Sequence, residues 1–181
     1  MPSITLDIMN IDSVNKRFAK LSEDVKTNIK NEVNASALKI QSDAKKNAPV
    51  NLGTLRNSIY IVSEDKGSNQ YVFGVGSNAS YAPYVEFGTG GKVKIPPGYE
   101  DYAAQFKNKE GGKFKDMVLA LMEWGIRKGY ITPGKGARQH AYFMALKILA
   151  KGLRPQRFLI PAFETERPKL IQRIEKIIKN A

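Results

Sequence analysis

The chain has no cysteine. Disulfides and thiolate metal sites are therefore excluded. It has one histidine and one tryptophan. His140 has no cysteine to pair with, and it follows a Gly/Lys/Arg-rich turn, so it reads as a surface residue at a helix start. No apolar run is long enough to cross a membrane. The first residues lack the basic-then-apolar layout of a signal peptide. Internal repeats and low-complexity segments are also missing. The serines have no nucleophile-elbow context. The Gly/Lys stretch at 88–94 lacks the spacing and the Ser/Thr of a phosphate-binding loop. The acidic pairs Glu64–Asp65, Glu100–Asp101 and Glu164–Glu166 fall at expected turns or helix starts, where they solvate a turn or complement a helix dipole. The residues read against an enzyme, and call for no cofactor or metal.

What is present is a chain of 181 residues, 42% hydrophobic, with 29 basic against 17 acidic side chains and a net charge of +12. That length suits one domain, or one domain with an insertion. The basic excess suits a polyanionic partner, a solvated surface, or the lining of a channel that passes nucleic acid. No zinc spacing, RNP-like strand or basic recognition helix accompanies it.

Residues 3–8 alternate apolar and polar, as a short strand or extended arm does. Phe18, Leu21, Val25, Ile29, Val33, Ala37, Ile40 and Ala44 then recur every three or four residues. They form one stripe of a long amphipathic helix over 12–47, capped by Asp12 or Ser13 and roughly 50 Å long. Pro49 and Gly53 end it. A β-hairpin follows, rich in β-branched and aromatic residues, with a turn near residue 67. Gly74 and Gly76 in its second strand suggest a bulge or a close backbone approach. Residues 88–115 read as a long, exposed basic loop. Two helices come next, the first capped by Asp116, the second closed by Gly152. An extended stretch from 154 leads to a last amphipathic helix with Leu170, Ile171, Ile174, Ile177 and Ile178.

The expected fold class is α+β. A long N-terminal helix and a C-terminal helix pack on a small, mostly antiparallel sheet, with a helical and loop insertion. The expected organisation is a single domain over 1–181. It comprises helix 12–47, hairpin and turn 57–89, insertion 90–153, and closing strand and helix 154–181.

The stretch "SYAPYVEFGT", residues 80–89, is read as a packed strand and turn. Alternation then puts Val85 and Phe87 on one face, and Tyr84 and Glu86 on the other. Glu86 reads either as a buried catalytic acid or as an outward-facing strand residue; the second is favoured, with Glu86 facing solvent or a neighbouring subunit and paired with Arg56 or Arg157.

Three stretches in this order resemble a known family. The first holds Ala48, Pro49, Val50, Gly53, Leu55, Arg56 and Ser58. The second holds Tyr81, Ala82, Tyr84, Val85, Glu86, Phe87, Gly88 and Thr89. The third holds Arg154, Pro155, Phe158, Leu159, Pro161 and Ala162. Together they resemble the tail-completion, or neck, proteins of tailed bacteriophages, the gene-product-ten-like family of the HK-ninety-seven type. One residue is extra between Pro155 and Phe158, and the lysine-rich loop is individual to this chain.

The resemblance implies a non-enzymatic virion protein at the head–tail interface, assembled in the host cytoplasm. It implies a homo-oligomeric ring, commonly hexameric, between the head-completion (stopper) protein and the tail terminator or tail tube, with no membrane partner. DNA passing through the channel would meet the basic residues, and Lys92, Lys94, Lys107, Lys109, Lys113 and Lys115 are the expected contacts. The alternative is a phage or prophage nucleic-acid-binding protein, with Tyr99, Tyr102 and Phe106 as a stacking surface among the lysines. A small nuclease or muralytic enzyme ranks last.

Overall fold

A computed structural model describes residues 4–7, 22–50, 52–65, 71–104 and 114–180. The chain divides into two compact units, one of Met1–Ala82 with Arg157–Ala181 and one of Pro83–Gln156.

The first unit is built on a helix and a sheet. Helix α1 (Glu23–Asn47) starts at Ser22, whose backbone is extended and whose hydroxyl accepts the Val25 N–H at 3.4 Å. Glu23 and Asp24 in the first turn and Lys45 and Lys46 in the last complement the helix dipole. The expected helix over 12–47 is corrected here. Ser22 satisfies an orphan amide only by leaving helical geometry, so α1 is 25 residues and about 37 Å long. Asp12, Ser13, Phe18 and Leu21 lie outside the described residues. The stripe that remains is buried at Ile29, Val33, Ala37, Ile40 and Ala44. Ala48 turns extended ahead of Pro49 and ends the helix.

A one-turn helix, α2 (Thr54–Asn57), leads into strand β2 (Ile59–Asp65). Strand β3 (Tyr71–Ser77) pairs antiparallel with β2 and with β1 (Ile4–Asp7), giving the order β1-β3-β2. The register of β3 is unbroken from Tyr71 to Ser77, so Gly74 and Gly76 mark no bulge. Helix α1 packs on β2 and β3, and also on the last helix, α7 (Leu159–Lys179). This is the expected α+β arrangement, with α1 shared between the sheet and α7.

The closing strand expected from residue 154 is not formed. The chain is irregular over 152–157, and α7 has begun by Leu159. Pro161 sits in its first turn, where a missing amide costs no hydrogen bond. Phe158, Leu159 and Ile160 are almost wholly buried. Two prolines suggested an extended segment, but core burial at consecutive apolar positions favours a helix entering the core. Pro168 lies within α7 on an exposed position, at the cost of one hydrogen bond to the residue-164 carbonyl.

The second unit is mostly helical. It contains α3 (Ala82–Phe87), which begins in the first unit, a 3-10 turn (Gly90–Lys92), α4 (Glu100–Ala104), α5 (Phe114–Arg127) and α6 (Ala137–Lys151). Asp116 lies inside the first turn of α5 and does not cap it. Val118, Ile131, Ala137, Ala141 and Ala145 form the core between α5 and α6. The long loop expected over 88–115 is thus partly ordered into the 3-10 turn and α4. Residues 105–113 lie outside the description.

Candidate assembly surface

The three motif stretches have separate structural tasks. In the first, Pro49 stops α1 and Gly53 takes a left-handed conformation, φ +78°, at the start of α2. Leu55 is buried and Arg56 exposed. The Ser58 hydroxyl lies 2.7 Å from both the Leu55 carbonyl and the Ser77 hydroxyl, so it ties α2 to the end of β3. Gln41 of α1 donates to the Ile59 carbonyl at 3.0 Å. This stretch sets the turn from helix to sheet.

The second stretch is helical where a strand is expected. Pro83 sits near the start of α3, where proline is tolerated. The buried positions Ala82, Pro83, Glu86 and Phe87 follow helical spacing, with Tyr84 and Val85 half-buried between them. The expectation that Glu86 faces solvent or a subunit is therefore corrected: Glu86 is fully buried. Only six residues form the helix, too few for a clear period, so alternation read equally well. Tyr81 precedes it and is 42% exposed.

From α3 the chain turns at Gly88, φ +83°. A Cβ there would lie 2.7 Å from the Leu153 carbonyl and 3.0 Å from the Lys92 carbonyl. Thr89 then meets Leu153, just ahead of the third stretch. Its N–H donates to the Leu153 carbonyl at 3.0 Å, and the Leu153 N–H donates to the Thr89 hydroxyl at 2.8 Å. Gly152, φ +71°, ends α6 with its α-carbon against the Thr89 carbonyl, leaving no room for a side chain. The Gln156 N–H donates to the Val85 carbonyl at 2.8 Å, and the Lys94 N–H to the Phe87 carbonyl at 2.9 Å. Residues 85–94 and 152–156 are thus stitched together along their backbones. Arg154 is exposed and Pro155 half-buried beside this seam.

An apolar groove of about 580 Å³ opens along the seam, lined among others by Tyr84, Phe87, Thr89, Val93, Ile95 and Ala103. Among the six lysines expected to meet DNA, Lys94 and Lys115 are exposed and Lys92 half-buried. Lys107, Lys109 and Lys113 lie outside the described residues, as does Phe106. Tyr99 and Tyr102 are half-buried around α4.

One group went unread in the sequence. Arg173 of α7 donates to Glu32 and Glu166, and to the Ser36 hydroxyl at 2.7 Å. Ser36 in turn donates to Glu166 at 3.2 Å. Glu166 was expected to solvate a helix start, but it is buried, as is Ser36. The hydrogen bond that Arg173 donates to Glu166, opposed by burial and aided by Glu32, holds the guanidinium above its ordinary value. The signal was present: Ser36 interrupts the apolar stripe between Val33 and Ala37, and Glu166 lies between Phe163 and Leu170. A polar residue at a stripe position requires a buried partner. This cluster fixes α1 against α7 and leaves no coordination site. Among the described residues, no group of His, Asp or Glu is arranged to hold a metal ion. Likewise no helix among them is long and apolar enough to cross a membrane.

Residues 12–88 match the family model HK97-gp10_like, described as "Bacteriophage HK97-gp10, putative tail-component". Over that segment, less than half of its length, the chain is similar to the HK97-gp10-like family. The matched segment covers α1, the sheet strands β2 and β3, and α3 up to the Gly88 turn. It holds the first motif stretch and all of the second but Thr89. The third stretch and most of the second unit lie beyond the match. No curated protein and no solved structure matches the chain.

Proposed function

We propose that this chain is a structural protein of a tailed-bacteriophage virion. In this reading it performs no reaction of its own and forms a ring, six copies by the resemblance, at the head–tail interface. It joins the DNA-filled head to the tail between a head-completion (stopper) protein and a tail terminator or tail tube. The observation that carries this reading is the family match over residues 12–88. The third motif stretch lies outside that match, yet its Gln156 donates to Val85 of the second, and Leu153, just ahead of it, pairs with Thr89. That link supports treating the later segment as part of the same working surface. The net charge of +12 suits a ring whose lumen passes DNA.

The test is genetic. A nonsense mutation in a phage that encodes this chain should leave full heads and separate tails in the lysate, with infectivity restored by the protein in trans. Normal numbers of joined particles lacking this protein would refute the reading.

A further inference from the structure

Helix α6 buries a face of small residues. Ala137, Ala141 and Ala145 recur every four positions and pack in the core it shares with α5. Its outer side carries large ones. Tyr142, Phe143, Leu146 and Leu149 are 44, 56, 40 and 61% exposed. At helical spacing these four span an arc of about 120°. Leu153, 44% exposed, follows just past the helix. The aromatic rings are already ordered: Tyr142 meets Phe114 and Phe143 edge-to-face, with centroids 5.5 and 5.9 Å apart.

Packing on α5 uses the alanine face with Met144, and the Tyr142 ring against Phe114; it accounts for neither Phe143 nor Leu146 nor Leu149. Each exposed Leu or Phe forgoes part of the stabilisation that full burial would give it. A contiguous patch of this kind marks an interaction surface.

The edges of the patch state the partner's chemistry. Arg138 borders it on one side, and Lys147, His140 and Lys151 on the other. The fifteen residues of α6 include no aspartate or glutamate. Two copies meeting through this same face would set Arg138, Lys147 and Lys151 against their own counterparts, and like charges across an interface are unfavourable. DNA would satisfy the cations but leave Leu146 and Leu149 uncovered.

We propose that the outer face of α6 docks a helix of another virion protein, one with an apolar stripe bordered by aspartate or glutamate. The helix would lie along Tyr142, Leu146 and Leu149 with its carboxylates on the basic edges. This deepens the assembly reading and rests on it for the identity of the neighbour as a virion protein.

The experiment uses the full chain and two designed helical peptides. Both carry the same leucine stripe, one flanked by glutamates and the other by lysines. Fluorescence anisotropy at moderate salt should show the glutamate peptide binding at least about tenfold more tightly than the lysine peptide. Leu146→Asp should abolish that binding. Lys147→Glu with Lys151→Glu should weaken it by about tenfold or more. All three positions are exposed, so the variants should keep the parent's circular dichroism and melting curve. Equal binding of the two peptides, or no binding by either, would overturn the proposal. So would a Leu146-dependent association of copies, read by light scattering, or Leu146-dependent binding to anionic lipid vesicles. If the peptide binds but the protein never enters particles, the assembly reading fails and the face keeps its chemistry. If the protein joins heads to tails but binds neither peptide, the reverse holds.

Discussion

Thr89 and Leu153 hold each other by two hydrogen bonds across 64 positions of sequence: amide to carbonyl at 3.0 Å, and amide to hydroxyl at 2.8 Å. One belongs to the second motif stretch, and the other immediately precedes the third. The pairing explains why a threonine follows the glycine turn, since the side chain replaces a backbone acceptor for the Leu153 amide.

Thr89→Val keeps the shape and removes the hydroxyl. It should cost about 1 kcal/mol of stability in chemical denaturation, and Thr89→Ser should recover most of it. Gly152→Ala should cost more than Thr89→Val, because it adds a methyl against the Thr89 carbonyl at a left-handed φ. A Gly152→Ala variant as stable as the parent would contradict the seam.

The Arg173 cluster makes a second prediction. Glu166→Ala leaves Ser36 and Arg173 without their shared acceptor. Arg173 is 39% exposed, so water offsets part of the loss. A cost of about 1–3 kcal/mol is expected, below that of breaking a fully buried pair. A double-mutant cycle of Glu166→Ala with Arg173→Ala should show the two effects to be strongly non-additive. Simple additivity would mean that the pair does not fix α1 against α7.

A pH dependence follows from Asp43. Burial raises its pKa, but hydrogen bonds and charge from Lys39 and Lys46 outweigh that and hold it below the ordinary value. A lowered native pKa means the contribution is present above the unfolded value of about 3.9 and fades as pH falls through the native one. The parent should therefore exceed Asp43→Asn in stability near neutral pH by about 0.3–1 kcal/mol, with the gap closing in acid and in high salt. A gap that widens in acid would contradict the pairing.

The buried stripe of α1 gives the largest expected effect. Ile40 is 1% exposed, and Ile40→Ala should cost about 2–5 kcal/mol. Leu38, two residues away and 53% exposed, should lose less than about 0.5 kcal/mol on the same change. Thermal melts of both variants check the face assignment.

Where the sequence pattern was long, it was readable. Ile29 to Ala44 gave α1 its buried face, and the β-branched run beside Tyr60 and Tyr71 gave the hairpin. Short elements were not readable. The six residues of α3 fit a strand as well as a helix, and only the placement of Glu86 in the interior separates the two. Pro83 and Pro161 sit in first helical turns, although the stretches around them read as extended. The cap at Ser22 was hidden because apolar residues on both sides of it keep the stripe in phase. The Thr89–Leu153 pairing could not be read at all, since no local pattern encodes a hydrogen bond across 64 residues. The three motifs did bring their residues into one reading, but their geometry is a property of the fold.

The most direct test of the assembly account is the mass of the purified protein in solution, alone and mixed with tail-less heads, by light scattering and sedimentation. The account predicts a closed ring, or a protein that sediments with heads and then recruits tails. A monomer that ignores heads at every concentration would contradict it.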